Sequence, residues 1–283
     1  MSSRIKTLVL LVALTALIML IGGLVGGQNG LIIAFVFALV MNVGSFWFSD
    51  KIVLSMYRAR ELSPSEAPLI HKMVDELAHN AGIPKPRVYV VPEEAPNAFA
   101  TGRNPNVAVV AVTEGILRIL QPDELRGVLA HEIAHIANRD ILIQGVAAVL
   151  ASVVMFLANM AKFAAIFGGG RDRENGGGNA VAMLLTAILA PIAAMLIQMG
   201  ISRSREYLAD ESGARYSGTP EALASALGKL QSAASKVHMQ KETASTAHMF
   251  IVNPLSGKSI AGLFSTHPPV EERISRLMNM RRK

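Results

Sequence analysis

No cysteine occurs among the 283 residues. That excludes disulfides, thiolate metal sites and a cysteine nucleophile, and it leaves the compartment open, because a cytosolic or membrane protein has no need of the residue. Charge is also scarce. Asp, Glu, Lys and Arg make up 17% of the chain, against about 25% in an average soluble domain. With a hydrophobic fraction of 51% and a mean hydropathy of +0.39, part of the chain is expected to be buried in something larger than its own core. Aromatic residues are few, at 5%, and no basic run is interleaved with them, so the net charge of +6 does not read as nucleic-acid binding. The basic residues stand beside apolar segments instead, as in membrane proteins facing the cytoplasm. A phosphate loop is excluded as well. The Gly257-Lys258-Ser259 triplet lacks its upstream glycine, whose place is held by Val252.

What the chain does have is long apolar runs. Thr7 to Leu24 and Leu31 to Phe48 carry no charge, and each approaches the roughly 20 residues that a helix needs to cross a bilayer. Gln28, Asn29 and Gly30 are expected to turn the chain between them. A secretory signal is the alternative for the first run, but signal cores are shorter and a second span follows at once. Two more runs come later, Ile141 to Phe167 and Asn179 to Ile201, joined by a Gly-rich polar loop at 168–178. Pro191 kinks the last of these, and Lys162 is the one charge within any of the four. A paired intramembrane charge relay, as in a transporter, is therefore missing. Arg4, Lys6, Lys51, Arg58, Arg60, Arg139, Arg203 and Arg205 flank the runs on one side. The positive-inside rule then places both termini in the cytoplasm of a multi-pass inner-membrane protein. The expected division is a transmembrane hairpin at 1–49, a cytoplasmic part at 50–140, a second hairpin at 141–201 and a second cytoplasmic part at 202–283.

The soluble segments read as α+β, mostly helical. Ser63-Pro64-Ser65-Glu66 has the form of a capping box, opening a helix to about Asn80 that stops at Gly82 and Pro84. Arg87–Val91 and Val107–Val112 read as strands, with Asn97–Thr101 between them as a candidate third. A short helix follows Thr113, and a long one starts near Pro122. Thr219-Pro220-Glu221 caps a helix to about Val237, and Pro268 starts the last.

The sharpest signal is His131-Glu132-Ile133-Ala134-His135. Residues i and i+4 of a helix share a face, so both imidazoles can reach one ion. Zinc takes neutral imidazole nitrogen readily, and a catalytic site keeps a position open for water. Glu132 is placed to take that water's proton. A plain surface helix with two histidines remains the alternative until a third ligand is found. On a straight helix running into the third span, at about 1.5 Å per residue, His135 stands roughly 9 Å from the apolar edge. Glu206, on the antiparallel return, stands at roughly 7–8 Å, which makes it the candidate third ligand. Asp210, one turn on, is placed to hydrogen-bond a ligating imidazole.

The HEIAH motif, followed by Ser204-Arg205-Glu206-Tyr207-Leu208-Ala209-Asp210, resembles the HtpX-type heat-shock membrane metalloproteases. These are gluzincins related to the type I CaaX prenyl proteases. The resemblance extends over nearly the whole chain through Asn97–Gly102 (NAFATG) and Thr266–Pro269 (THPP). It implies one zinc ion per chain on His131, His135 and Glu206, with Glu132 as general base. It implies that Asn97, Phe99 and Ala100 lie on an edge strand that pairs with the substrate backbone, and that His267 and Arg273 lie by the site and stabilise the oxyanion. The implied role is quality control, cleaving damaged or misassembled membrane proteins from the cytoplasmic side. The nearest rival, a CaaX-type processing protease, carries more spans around an enclosed chamber.

Overall fold

The computed structural model describes residues 3–167, 203–234, 251 and 268–280. The Gly-rich loop at 168–178, the fourth apolar run and His267 lie outside the described residues.

Helix α1, Ser3–Met56, is broken at Gly27, whose φ of 56° and ψ of −139° only glycine adopts readily. Its two halves fold back on each other: Asn42 Nδ2 donates to Thr15 Oγ1 at 2.7 Å. The two halves thus form a helical hairpin whose turn is at Gly27, and Gln28-Asn29-Gly30, where the turn was expected, already belong to the second half. That half, Gly27–Met56, is the one helix among the described residues long and apolar enough by itself to cross a membrane. It runs on past residue 49, and its end packs on the soluble part.

Strand β1, Arg60–Glu61, is followed by α2, Pro68–Ala81. The capping box expected at Ser63 forms, with Ser63 N donating to Glu66 Oε2 at 2.8 Å. Residues 64–66 are nevertheless a turn, and the helix starts at Pro68, not Pro64. Proline has no N–H to continue a ladder from the turn, but it suits a first helical position. Gly82, with φ 66°, ends the helix.

Strands β2 (Arg87–Val91), β3 (Ala98–Thr101) and β4 (Val109–Thr113) complete a sheet of order β1-β2-β4-β3. β2 pairs with β4 in parallel, and β3 pairs with β4 antiparallel at the sheet's end. Alternate side chains point to opposite faces. Val88, Val90, Ala98, Ala100, Val110 and Val112 join the main core with α2 and the metal-motif helix. Val91, Phe99, Val109 and Ala111 face Val53, Leu54, Tyr57, Ala148 and Val149 on the two apolar helices. The sheet is thus a middle layer, and burial on both faces explains why β4 reads as an unbroken apolar run.

Thr113 caps α3, Glu114–Ile119, by accepting from Ile116 N at 3.2 Å. Gln121 and Glu124 form a capping box at the start of α4, Pro122–Ala137. Helix α5 spans Ile141–Phe167, the bounds expected of the third run. α4 does not run straight into it, however: the axes of Pro122–Ala137 and Ile141–Val154 differ by 91°. Arg139 takes a left-handed φ of 59°, while Arg139 N donates to Ile136 O and Asp140 N to His135 O. This is a Schellman turn, which stops a helix and redirects the chain. The straight-helix heights assigned to His135 and Glu206 therefore do not hold. α6 (Arg203–Ser217), α7 (Pro220–Ala234) and α8 (Val270–Met280) complete the described chain. Pro268 and Pro269 precede α8 rather than form its first turn, and the Pro269 carbonyl accepts from Arg273 N at 3.2 Å.

Candidate metal centre

Helix α4 is buried without a break from Gly127 to Ile136 because it is wedged between the sheet, α6 and α7. Two glycines permit this. A Cβ at Gly127 would lie 2.8 Å from Leu223 N, and one at Gly213 2.8 Å from His131 N. The second contact brings the backbone of α6 directly against the first histidine of the motif. Helix spacing then sets His131 and His135 on the face turned toward α6, seven residues before Gly213 on which Glu206 stands.

The three side chains meet. His131 Nε2 and His135 Nε2 are 3.2 Å apart. Glu206 places Oε2 3.7 Å from the first and Oε1 3.5 Å from the second. All three residues are buried, at 1%, 4% and 1% exposure. A tetrahedral zinc with bonds of about 2.0–2.1 Å spaces its ligand atoms about 3.3–3.4 Å apart, so the triangle has the right size. Its chemistry fits too. His131 Nδ1 lies 2.9 Å from Asp210 Oδ1, close but not aligned as a straight hydrogen bond. His135 Nδ1 lies 3.3 Å from Asp140 Oδ2. A carboxylate only accepts, so each imidazole keeps its proton on Nδ1 and turns a lone pair inward from Nε2. Two inward lone pairs beside a carboxylate, away from water, repel one another, and one shared cation satisfies all three.

Glu132 is buried beside this group and accepts a backbone hydrogen bond from Ala100 on β3. Burial pushes its carboxyl up and Glu206 adds to this, against a weaker pull from His131 and His135. Asp210 behaves in the opposite way. Burial alone would raise it, but Arg273 and His131 outweigh burial and hold it well below the usual carboxylate range.

Arg273 is fully buried. It grips Asp210 with two hydrogen bonds, Nε to Oδ2 at 2.8 Å and Nη2 to Oδ1 at 2.7 Å. Its Nη1 donates to Ile251 O at 2.8 Å and lies 4.0 Å from Glu206 Oε2, and Nη2 is 3.5 Å from His131 Nε2. Asn97 is buried at the start of β3. Its backbone N–H and C=O both bond to Thr113, and its Oδ1 accepts from Ile251 N at 3.1 Å. The Phe99 ring is turned away from the metal group and packs on Tyr57, with centroids 5.3 Å apart. Ala100 stands over Glu132. Of the described residues singled out from the sequence, His131, Glu132, His135, Glu206, Asp210, Arg273 and Ala100 therefore converge, Asn97 joins them through Ile251, and only the Phe99 side chain is directed elsewhere. Two polar residues of the centre were not singled out, Asp140 and Arg205. The available signal was an aspartate five residues after the second histidine and an arginine next to Glu206.

The model of peptidase family M48 matches residues 64–281. A protease HtpX homolog of Syntrophobacter fumaroxidans is 65% identical over 282 residues, covering 99% of this chain and 100% of the relative. Another, of Pyrococcus furiosus, is 59% identical over 273 residues, covering 96% and 94%. Among solved structures, the crystal structure of S. mikatae Ste24p aligns with a TM-score of 0.51 at 19% identity. That alignment covers 97% of this chain and 65% of the Ste24p chain, and it speaks for the fold alone. With a family match spanning most of its length and full-length HtpX homologues at this identity, the chain belongs to peptidase family M48 and is a zinc metallopeptidase of the HtpX type.

Proposed function

We propose that this chain is a membrane-anchored zinc endopeptidase that cleaves misfolded or damaged membrane proteins at the cytoplasmic face of the inner membrane. The observation that carries the reading is the meeting of His131, His135 and Glu206 beside Glu132, on a helix that turns directly into an apolar one. Four spans belong to the reading: the two halves of α1, α5, and the uncharged segment 179–201. The basic residues at their ends support a cytoplasmic site. The division into two hairpins and two cytoplasmic parts, at 1–49, 50–140, 141–201 and 202–283, goes with it.

His131, His135 and Glu206 are the residues that hold the metal. Bound there, zinc supplies a Lewis acid for the scissile carbonyl and lowers the pKa of water. Glu132 takes the proton from the attacking water on its carboxylate and delivers it to the leaving amine nitrogen. Its burial favours this, because a carboxyl pushed up toward neutrality both accepts and returns a proton. The N–H of Ala100 holds the Glu132 carboxylate under β3. An end strand can pair with an extended peptide through backbone hydrogen bonds, almost independently of sequence. Asn97, Phe99 and Ala100 are assigned to substrate binding along this strand: Ala100 turns its backbone to the outer edge, while Asn97 and Phe99 turn theirs to β4 and hold the strand in place. Asp210 orients His131, and Arg273, whose donors are engaged by Asp210 and Ile251, acts as a positioning residue. His267 is assigned to the developing oxyanion, which needs a hydrogen-bond donor.

The test is hydrolysis of casein by detergent-purified, zinc-loaded protein beside Glu132→Gln. Wild type should cleave, and the variant should keep its zinc while losing about 10²–10⁴-fold in rate. Equal rates, or no cleavage by zinc-loaded wild type, would overturn the reading.

A further inference from the structure

His135 and Glu206 come from different helices, and an ion pair outside the ligand set holds them in step. Asp140 is fully buried in the turn between α4 and α5. Its Oδ2 lies 3.3 Å from His135 Nδ1, and its Oδ1 accepts from the Arg205 guanidinium. Arg205 directly precedes Glu206 on α6. Asp140 is also tied to His135 through the backbone, because Asp140 N donates to His135 O at 2.9 Å in the Schellman turn. The arrangement repeats, on the second histidine, the Arg273–Asp210–His131 series on the first.

Packing shows what the second series is for. α4 and α6 touch backbone to backbone where Gly213 meets His131. That contact sets their separation at one level only. Nearer the start of α6, where Glu206 must face His135, the Asp140–Arg205 pair joins the α4–α5 turn to that helix. We propose that Asp140 and Arg205 are positioning residues of the metal centre. Asp140 holds the His135 ring with its proton on Nδ1 and its lone pair inward. Arg205 neutralises the buried carboxylate and fixes the rotation of α6 that points Glu206 at the ion. The same pair thus orients one ligand from each helix. This rests on His131, His135 and Glu206 being the metal ligands.

The experiment uses full-length protein in detergent. It reads three quantities: the zinc dissociation constant by chelator competition, the visible spectrum with cobalt(II) in place of zinc, and the unfolding midpoint of metal-free protein. Wild type should bind one zinc and His135→Ala none. If wild type binds none, the ligand assignment fails, and with it the premise. Given binding, Asp140→Ala and Arg205→Gln should each raise the dissociation constant about 10–100-fold and alter the cobalt spectrum. Arg205→Lys should recover part of the loss, and the double variant should be no worse than Asp140→Ala alone. Val88→Ala, which removes core volume at β2 on neither ligand-bearing helix, should lower the midpoint without moving the other two readouts. Unchanged zinc affinity and cobalt spectrum in Asp140→Ala and Arg205→Gln would overturn the proposal. So would a loss of affinity matched by Val88→Ala. If Asp140→Ala does not fold, Asp140→Asn and Arg205→Lys carry the same comparison.

Discussion

Four carboxylates lie buried around the metal group, and their partners give them different work. Glu206 and Glu132 face the inside of the site, whereas Asp210 and Asp140 face the backs of the histidines and are each held by an arginine. Breaking such a buried pair by removing one partner leaves the other charge uncompensated, at a cost of about 3–5 kcal/mol. Arg273→Met should therefore lower the unfolding midpoint of the metal-free protein markedly; an unchanged midpoint would show that the pair contributes nothing. The pH dependence follows from the depressed Asp210 pKa. Stability from a lowered carboxyl is fully present above its unfolded value, near 3.9, and is lost as pH falls through the folded value. The gap between wild type and variant should stay flat from about pH 8 to about pH 5 and narrow only in stronger acid. Asp210 is legible in the sequence because it stands one helical turn after Glu206. Asp140 is not, since it lies beyond the end of α4, where helical spacing no longer says which way a side chain points.

The elements themselves were largely legible, because their signals are local. β2 has the expected bounds, α3 and α4 start at their caps, and α2 stops at Gly82. The 91° bend after α4 was hidden because its left-handed position is filled by Arg139, where glycine or asparagine would have announced a Schellman turn. β1, two residues long, carries no pattern of its own. Close contacts between helices are equally silent in sequence. Gly127 reads as a flaw in α4, yet it and Gly213 are where neighbouring backbones touch the helix. Gly213→Ala should push α6 away from His131, costing about 1–3 kcal/mol and loosening the hold of Glu206 on the metal. Dialysis against a chelator, followed by metal analysis, should find zinc lost faster than from wild type. Retention equal to wild type would mean that the helices absorb the methyl group without moving.

For the molecule as a whole, the membrane part and the catalytic part are not separate bodies. The end of α1 and the start of α5 cover one face of the sheet, and Tyr57 packs on Phe99 of the strand that stands over Glu132. The apolar runs were visible in the sequence, but their second use as a layer of the soluble core was not, because an apolar residue reads alike whether lipid or a sheet covers it. The arrangement ties the orientation of the hairpin to the side on which the site opens, and the absence of cysteine makes that orientation easy to read. Any introduced thiol is the only one in the chain. Gln28 and Ser65 are both exposed, at the hairpin tip and in the turn before α2. Ser65→Cys should react with a membrane-impermeant maleimide only in inverted vesicles, and Gln28→Cys only in right-side-out ones. Both thiols reacting from the same side would mean that the hairpin does not cross. The reverse pattern would put the metal centre on the outer face together with its basic flanks, against the positive-inside rule.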